Sequence, residues 1–432
     1  MLENLFKLKE NRTNVRTELL AGFTTFMTMS YIIFVNPAIL SDAGMPFNGV
    51  FIATIAGIIL GTLCMAFLTN YPFALASGMG LNAFFAYSIV IGLGLSWQVA
   101  LGLVFVEGII FIILSVLPIR KMIVNSIPMG LKTGISAGIG LFIAFIGLQN
   151  AGIVVADAAT LVGMGNILSG PALVAMFGIV VTGILYALKM KGALLWGILL
   201  ATAFGWLNGV TPPLQGIVAL PRMSDWSAVL FQLDIAGALQ LSLIGVLLSL
   251  LFVDMFDTAG TLVGVSQQAG YLDKEGNLPK ASRALLADAI GTSGGALFGT
   301  STVTTYIESA SGVAAGGRTG LTGVVVSLLF FLALFFKPLI GIVPAAATAP
   351  ALIIVGTMMI SNITKIDWDD FTEVLPAFIT MLLMPLTYSI ANGIAIGFIA
   401  YPLLKLFTGR GKEVHWLVYT LGIVFLAYFI WL

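Results

Sequence analysis

Long apolar segments follow one another along almost the whole chain. A helix needs about 20 mostly apolar residues to cross the hydrocarbon of a bilayer. The 432 residues are 59% hydrophobic and 9% charged, whereas soluble domains are about 25% charged. The sequence therefore predicts an all-α polytopic membrane protein, because a β-barrel would show short alternating strands instead. We place about fourteen transmembrane segments, by the length that a span needs, at residues 19–40, 50–68, 73–92, 99–117, 131–148, 171–188, 193–210, 236–265, 284–298, 302–316, 321–336, 344–360, 371–389 and 393–407.

Composition excludes several classes of function. Lys and Arg together number 19, as do Asp and Glu, so no basic surface for nucleic acid is predicted. Cys64 and His415 are the only cysteine and the only histidine. An internal disulfide is therefore excluded, and a metal or catalytic site built on Cys or His is not expected. We predict no metal and no cofactor. A last apolar run, 414–432, either spans the membrane or lies in its interface.

Basic residues set the expected orientation. Lys7, Lys9 and Arg12 precede the first apolar segment and no cleavage site follows, so this segment is a retained span and the N-terminus is cytoplasmic. We expect a multi-pass protein of the cell (plasma or inner) membrane. Arg222 and Lys337 then fall on the outer side. The remaining loop residues fall inside: Arg120, Lys121, Lys189, Lys191, Lys274, Lys280, Arg283, Arg318, Lys365, Arg410 and Lys412.

Two halves of the chain resemble each other at one spacing. The SDAG sequence ending at Gly44 matches SQQAG ending at Gly270, and the same spacing places Asn82 on Glu308 and Tyr31 on Asp257. Each half holds about seven spans, an odd number, so the second copy enters the membrane from the opposite side. This predicts a seven-plus-seven inverted repeat with the substrate between two broken helices near the midplane.

Glu308 lies in the most unusual of the segments. The stretch 299–317, GTSTVTTYIESASGVAAGG, is rich in Gly, Ser and Thr and begins with a β-branched run at 302–305. It predicts an extended piece that leads into a half-helix after Tyr306, an arrangement tolerated at membrane depth where it lines a cavity. A carboxylate there is energetically expensive and indicates a functional site. The alternative is a carboxyl satisfied by neighbouring hydroxyls in a packed bundle.

The corresponding broken element of the first half is 72–87, PFALASGMGLNAFFAY. Small residues precede Asn82, and an aromatic cluster of Phe84, Phe85 and Tyr87 follows it. The Asn82 amide offers both a donor and an acceptor to a ligand. Its alternative role is an interhelical hydrogen bond that holds helices together.

Two more acids share one helix face. Asp254 and Asp257 lie deep in a span at i, i+3 spacing, and Thr258 and Thr261 continue that side. No Lys or Arg lies in the hydrophobic middle of a span. Desolvated carboxyls without a counter-charge favour their neutral form, and like charges strengthen that preference. Glu107 and Asp288 are further acids inside apolar segments, which we interpret as structural or accessory because neither lies in a broken element.

These acids favour a ligand that is rich in N–H groups, a proton or a cation over an anion. A purine such as guanine presents an N–H and an amino group along one edge, which a carboxylate can accept together, while its O6 and N7 accept from an Asn amide or backbone N–H. Aromatic side chains suited to stacking on it are Phe26, Phe84, Phe85 and Phe256.

Four motifs resemble the nucleobase transporter superfamily, and within it the AzgA-like guanine/hypoxanthine/adenine permeases. They are GFTTFMTMSYIIFVNP at 22–37, SGMGLNAFFAY at 77–87, DMFDTAGT at 254–261 and TTYIESASGVAAGGRTGLT at 304–322. The resemblance implies fourteen spans in a uracil-permease-like fold and proton-coupled uptake of a free base. It also implies a core domain (1–130, spans 1–4, and 236–343, spans 8–11) and a gate domain (131–235, spans 5–7, and 344–432, spans 12–14 with the last apolar run).

The resemblance also assigns residues. Glu308 and Asp257 are the expected substrate carboxylates, and relatives that carry uracil have a His where Thr258 and Thr261 stand here, which favours a purine. The full substrate-binding set is Glu308, Asp257, Asn82, Asp254, Thr258, Phe26 and Thr305. Proton coupling is assigned to Asp257, Asp254 and Glu308.

The expected partners are a purine base, protons and the lipid bilayer, and a homodimer is left open. Alternative functions are a uracil/xanthine permease, or an anion exchanger or channel of the same fold, against which the absence of a basic residue beside Glu308 counts. An intramembrane hydrolase with paired acids is a further alternative. No matching motif supports it, so an enzyme is not expected.

Overall fold

The computed structural model describes residues 2–116, 126–214, 216–273 and 278–431. Arg120, Lys121 and Lys274, which were expected on the cytoplasmic side, lie outside these residues. The helices are α1 Leu2–Phe6, α2 Val15–Met29, α3 Ile32–Asp42, α4 Phe47–Thr69, α5 Met79–Ala83 with a π-helical continuation Phe84–Gly92, α6 Trp97–Val116, α7 Met129–Asn150, α8 Gly170–Ala187, α9 Ala193–Leu207, α10 Met223–Ser227, α11 Ile235–Ala238, α12 Ile244–Ala269, α13 Ala281–Phe298, α14 Ser309–Ala314, α15 Gly320–Ala333, α16 Lys337–Ile340, α17 Ala345–Ile360, α18 Phe371–Leu386, α19 Ile390–Phe407 and α20 Trp416–Trp431.

The membrane prediction is confirmed. Nine helices within the described ranges are long and apolar enough to cross a bilayer, counting α2 and α3 as one span. Shorter apolar helices at Met79–Gly92, Ala193–Leu207 and Phe371–Leu386 occupy three more of the predicted segments. The other two predicted segments hold α13 and α14. The chain is thus a multi-pass, mostly helical membrane protein.

Both predicted broken elements begin with a short strand. β1 (Leu75–Ser77) and β4 (Val303–Thr305) pair antiparallel in the interior, with Ala76 opposite Thr304. A second ladder, β2 (Val154–Asp157) with β3 (Leu161–Met164), forms the hairpin between α7 and α8. Extended backbone survives at this depth only where each polar group has a partner. Hydroxyls supply what the ladder lacks: Thr62 Oγ1 accepts from the Leu75 N–H at 2.9 Å, and Ser309 Oγ accepts from the Ala74 N–H at 2.9 Å.

The hydrogen bonds that flank this ladder are related by a shift of 228 residues. The Gly78 N–H donates to the Thr302 carbonyl, and the Tyr306 N–H donates to the Ala74 carbonyl, both at 3.0 Å. The spacing read from the sequence is two residues shorter. At the strands, therefore, the position equivalent to Glu308 is Gly80.

Helices of the two halves pack reciprocally. α2 packs on α15 as α12 packs on α6, and α4 packs on α15 as α13 packs on α6. The remaining long helices show the same pattern, because α7 packs on α18 as α17 packs on α8, while α8 and α9 pair as α18 and α19 do. Two packing groups result, one around the β1–β4 ladder and one around α7 and α17. Interfaces between the groups are small, and α12 against α19 is among them.

One end of the bundle joins the two groups by hydrogen bonds. Tyr87 Oη donates to Asp42 Oδ2 at 2.6 Å, and Asn150 Nδ2 on α7 donates to Tyr87 Oη at 3.2 Å. Tyr388 packs its ring edgewise against Tyr87, with centroids 6.2 Å apart, and donates to Gln149 Oε1 at 2.8 Å. We call the set Asp42, Tyr87, Asn150, Gln149 and Tyr388 the polar latch.

Ion pairs fasten two peripheral segments. Lys337 pairs with Asp225 at 2.5 Å, which fixes the connection between α9 and α12. Lys405, at 2% side-chain exposure, lies 3.1–3.3 Å from Asp370, Glu373 and Glu413. Hydrogen bonds from Thr372 and from the Arg410 guanidinium hold the pKa of Asp370 well below its usual range. The last apolar run forms α20, which packs on α19.

We expect Gly312→Ala to destabilise the protein. A Cβ at Gly312 would overlap Thr25 Oγ1 and would lie 2.9 Å from the Ala21 carbonyl oxygen, so α14 must move away from α2. Overpacking of this kind costs about 1–3 kcal/mol. Thermal unfolding of the purified variant in detergent measures the loss. Gly183→Ala in α8 is the matched control, since a Cβ there meets nothing within 4 Å. Equal melting temperatures for the two variants would refute the close-packing argument.

Candidate ligand site at the crossing of the broken elements

Glu308 stands where β4 ends and α14 begins. Tyr31 Oη, from the turn between α2 and α3, donates to Glu308 Oε1 at 2.7 Å. Thr28 on α2 bonds to Ser311 at 2.8 Å and so fixes the first turn of α14. The Glu308 side chain is partly exposed, although nearly all its neighbours along β4 are buried. The structure therefore holds one oxygen of this carboxyl with a phenol and leaves the side chain partly accessible.

Asp257 on α12 is the second partly exposed acid, and its charge lies close enough to interact with that of Glu308. From Asp257 to the end of α12, one face of the helix is open. Gly260 and Gly264 are exposed, with no atom within 4 Å of an added Cβ, and Gln268 is exposed as well. The adjacent face, which includes Asp254 and Thr258, is buried. The structure thus brings the two predicted substrate carboxylates together at partly exposed positions, while Asp254, whose charge interacts with that of Asp257, is buried.

Asp288 on α13 anchors the strand that carries Glu308. Its Oδ1 accepts from the Thr305 N–H at 2.7 Å and from Thr305 Oγ1 at 2.8 Å, and its Oδ2 accepts from Thr258 Oγ1 at 2.9 Å. Thr258 Oγ1 also lies 2.6 Å from Thr304 Oγ1. The hydroxyls of Thr258 and Thr305, both predicted to bind substrate, are therefore committed to this buried network. Asp288 thus ties β4 to α12 by hydrogen bonds.

Asp254 faces Glu107 on α6. Both side chains are completely buried, and the two carboxyls are within hydrogen-bond range of each other. Asp254 receives only long contacts from hydroxyls, at 3.4 Å from Thr258 and 3.4 Å from Thr292. Sequence reasoning named Glu107 but did not connect it with Asp254, because their proximity depends on how α6 packs against α12.

Asn82 lies in α5, beside the segment that precedes β4. It is fully buried, and Ser301 Oγ donates to its Oδ1. Its Nδ2 has no acceptor among the described residues. The side chain thus connects α5 to the segment before β4, while its amide nitrogen donates to none of the described residues.

The aromatic residues divide between two places. Phe26 packs edgewise on Phe330, with centroids 4.9 Å apart, and lines an apolar cavity of about 620 Å³ between α2, α9 and α15. Phe256 is partly exposed beside Asp257, and Lys132 Nζ lies 5.8 Å from its ring centroid. Phe84 and Phe85 are completely buried. Tyr31 is the site residue that sequence reasoning missed, and its available signal was its position opposite Asp257 in the repeat.

The carboxyls of the candidate site form no ion pairs within the described residues. Among the described residues no Lys or Arg forms an ion pair with Glu308, Asp257 or Asp254. Arg318, the nearest cation along the chain, donates instead to the carbonyls of Val313 and Gly317 at the end of α14. No group of three or more acidic, His or Cys side chains in the described part of the chain could hold a metal ion.

Solved structures of membrane transporters share this fold. The transmembrane domain of the cyanobacterial bicarbonate transporter BicA superposes with a TM-score of 0.62 at 17% identity, covering 88% of this chain and 97% of its own. The murine anion transporter solute carrier 26 family member A9, in the inward-facing state, gives 0.63 at 14% identity over 91% of this chain and 69% of its own. The chain therefore has the fold of these two proteins. At these identities the likeness concerns the fold alone.

Residues 16–396 match the model of the Permease family (Xan_ur_permease), and the chain belongs to this family. A putative permease of Methanocaldococcus jannaschii is 54% identical over 100% of this chain and 98% of its own. A guanine/hypoxanthine permease of Bacillus subtilis is 47% identical over 100% of both chains. An adenine permease of Escherichia coli is 45% identical over 99% of this chain and 95% of its own. Members of the family are transporters, so the protein is not an enzyme.

We expect Asp288→Ala to destabilise the site more than Thr305→Val. The first change leaves the buried Thr305 N–H and the Thr258 hydroxyl without their acceptor, at a cost of about 1–3 kcal/mol for an unsatisfied group. The second removes one hydroxyl and keeps the N–H bond. Thermal unfolding of both purified variants makes the comparison. If Asp288→Ala is as stable as Thr305→Val, Asp288 does not anchor β4.

Proposed function

We propose that the protein imports purine nucleobases (hypoxanthine or guanine, with adenine or xanthine as further candidates) across the cell membrane by proton symport. The observation that carries the proposal is the pair of partly exposed carboxyls, Glu308 and Asp257, at the crossing of two broken elements. Relatives named as guanine/hypoxanthine and adenine permeases support the choice of substrate.

The chemistry of the site fits the edge of a purine. A carboxylate accepts hydrogen bonds and donates none, so Glu308 suits a ligand that presents adjacent N–H groups. Tyr31 occupies one of its oxygens at 2.7 Å and leaves the other free for such a donor. We assign Asp257 as the second acceptor, and the unused Nδ2 of Asn82 as a donor to a purine oxygen or nitrogen. Phe256 is the aromatic side chain beside Asp257.

The two packing groups support alternating access. We identify the group around the ladder with the core domain and the group around α7 and α17 with the gate domain, related as an inverted repeat. With the N-terminus in the cytoplasm, the polar latch closes the outer side. The open face of α12, from Asp257 to Gln268, leads to the cytoplasm. The described conformation is then inward-facing.

The absence of fixed counter-charges beside these carboxyls, among the described residues, supports proton coupling. Several carboxyls in one dry region cannot all ionise, so at least one carries a proton at neutral pH. Asp257, Asp254 and Glu308 are the coupling residues of the proposal. A metal cation would need a cage of oxygen ligands, and no three acidic, His or Cys side chains in the described ranges are arranged to hold one.

An anion is the alternative substrate, because the two solved structures of this fold are a bicarbonate transporter and an anion transporter. An anion needs donors or positive charge at its site, whereas Glu308 and Asp257 are acceptors with no ion-pair partner among the described residues. Bicarbonate or chloride would be repelled. Uracil remains the nearest alternative substrate, and a competition assay decides between it and the purines.

We expect purified protein in liposomes to take up labelled hypoxanthine or guanine in a saturable manner, driven by an inward proton gradient without sodium. The measurement compares initial rates and final accumulation under pH and sodium gradients, with a panel of unlabelled bases as competitors. Uptake that follows sodium and ignores pH refutes the coupling. Uracil outcompeting every purine refutes the substrate.

The carboxyls should separate by role. Glu308→Gln replaces an acceptor oxygen by a donor and sets N–H against N–H, so we expect purine binding to be lost at every pH. Asp257→Asn imitates the protonated state and should keep binding or base-for-base exchange while net accumulation fails. Calorimetric binding and counterflow on the purified variants measure both. Glu10→Gln, at an exposed position, is the matched control. If Glu308→Gln binds purine with wild-type affinity, the assignment of Glu308 as the central ligand residue is wrong.

The same binding assay assigns Asn82. If its amide meets the ligand, Asn82→Ala weakens purine binding by roughly 1–3 kcal/mol, because a polar group of the ligand is left unpaired. Ser301→Ala removes the same interhelical hydrogen bond without touching the amide, so it should bind normally. Equal effects of the two variants make Asn82 a structural bridge only.

A further inference from the structure

Glu107 is a buried acid whose oxygens have no donor. It lies in the middle of α6 with 0% of its surface exposed, and neither Oε1 nor Oε2 has a hydrogen-bond partner among the described residues. A buried ionised carboxylate without donors or counter-charge is strongly unfavourable. The side chain therefore requires a proton, its own or a shared one.

Asp254 is the group that can share it. The two carboxyls are within hydrogen-bond range, and Asp254 is as deeply buried as Glu107. The hydroxyls near Asp254 have shorter bonds elsewhere: Thr292 donates to the Val303 carbonyl at 3.0 Å, and Thr258 to Asp288 at 2.9 Å. Two carboxyls this close cannot both ionise, and one proton held between them supplies each with a partner.

Close packing seals the pair against larger ions. A Cβ at Gly108, next to Glu107, would overlap Ser293 Oγ and lie 2.9 Å from the Ser293 amide nitrogen on α13. The other charged groups that face the pair are Asp288 from α13 and Asp257 from α12, both acidic. Glu308 on α14 faces Asp257 in turn. No hydrated cation fits between helices in such contact, whereas a proton does.

We infer that Glu107 and Asp254 form a two-carboxyl site that holds the transported proton, one helical turn from the substrate carboxylate Asp257. The inference rests on the proposed proton symport and assigns a residue of α6 to it. A proton on the Asp257 carboxyl passes to the pair, so Asp257 becomes ionised as the Glu107–Asp254 pair, which already shares one proton, goes from one negative charge to none. The reverse transfer returns the proton to Asp257 and to the open face of α12.

The pair is also connected to the strand beneath the ligand. Thr258 contacts Asp254, Asp288 and Thr304, at 3.4, 2.9 and 2.6 Å. Asp288 in turn holds the Thr305 N–H of β4, three residues before Glu308. A change of charge at Asp254 therefore alters the hydrogen bonding that positions β4, which gives proton loading a route to the ligand site.

The test counts protons in purified protein. Calorimetric titration of hypoxanthine in two buffers of different ionisation enthalpy gives the number of protons taken up on binding. Repeating the titration over a range of pH gives the pH at which this proton uptake is half-maximal. We expect Glu107→Gln to bind the base with less proton uptake than the wild type, because its amide donates to Asp254 permanently. Glu107→Asp should restore uptake with a shifted midpoint. Ser115→Ala, on the same helix and bonded only to the Phe111 carbonyl, is the control and should match the wild type.

Transport in liposomes gives the second measurement. A gradient of one pH unit lets a one-proton symporter accumulate its substrate up to about tenfold. We expect Glu107→Gln to keep base-for-base exchange and to reach roughly equal concentrations on both sides. Proton uptake and accumulation equal to the wild type overturn the inference. If Glu107→Gln fails to fold, an unshifted midpoint in Glu107→Asp overturns it. A wild type that ignores the pH gradient refutes the proposed symport instead, so the two failures are distinguishable.

Discussion

Every backbone N–H and carbonyl inside a bilayer must find its partner within the protein, and the centre of this molecule depends on meeting that requirement without a helix. β1 and β4 satisfy each other across a three-residue ladder. The hydroxyls of Thr62 and Ser309 accept hydrogen bonds from the backbone N–H groups of residues 75 and 74 at the start of β1. Because the chain is fixed in this way, two half-helices can begin in the interior, and a carboxyl can stand at the start of one of them.

The second constraint is charge. Glu107, Asp254, Asp257, Asp288 and Glu308 gather around three helices and a strand, and no ion pair reaches any of them in the described part of the chain. Burial grades them. Glu308 and Asp257 are partly exposed, Asp288 accepts three hydrogen bonds, and Glu107 with Asp254 has almost no donors in the described part of the chain. In the proposed function, these different surroundings let acids of one chemical type serve as ligand acceptor, structural anchor and proton carrier.

Much of this could be predicted from the sequence, for identifiable reasons. Apolar segments of spanning length and a Ser/Thr-rich interruption are local signals, so the spans, the strand at 303–305 and the half-helix after it were predicted correctly. Partners distant in the chain carry no such signal. Glu107 meets Asp254 only through helix packing, and Tyr31 reaches Glu308 from a turn 277 residues away. The sequence match relates the two halves by a spacing two residues shorter than the spacing of the ladder, because Gly- and Ala-rich segments align at several spacings.

In the proposed alternating-access cycle, the strength of the polar latch affects the balance between the two conformations. Its hydrogen bonds join two bodies whose other shared interfaces are small. Each such bond contributes only about 0.5–1.5 kcal/mol net, since water replaces the lost partner when the contact separates. A latch of this strength favours one conformation by a modest factor and leaves the other thermally accessible. Carrier proteins need that near-balance, because a state stabilised too strongly would trap the molecule for most of its cycle.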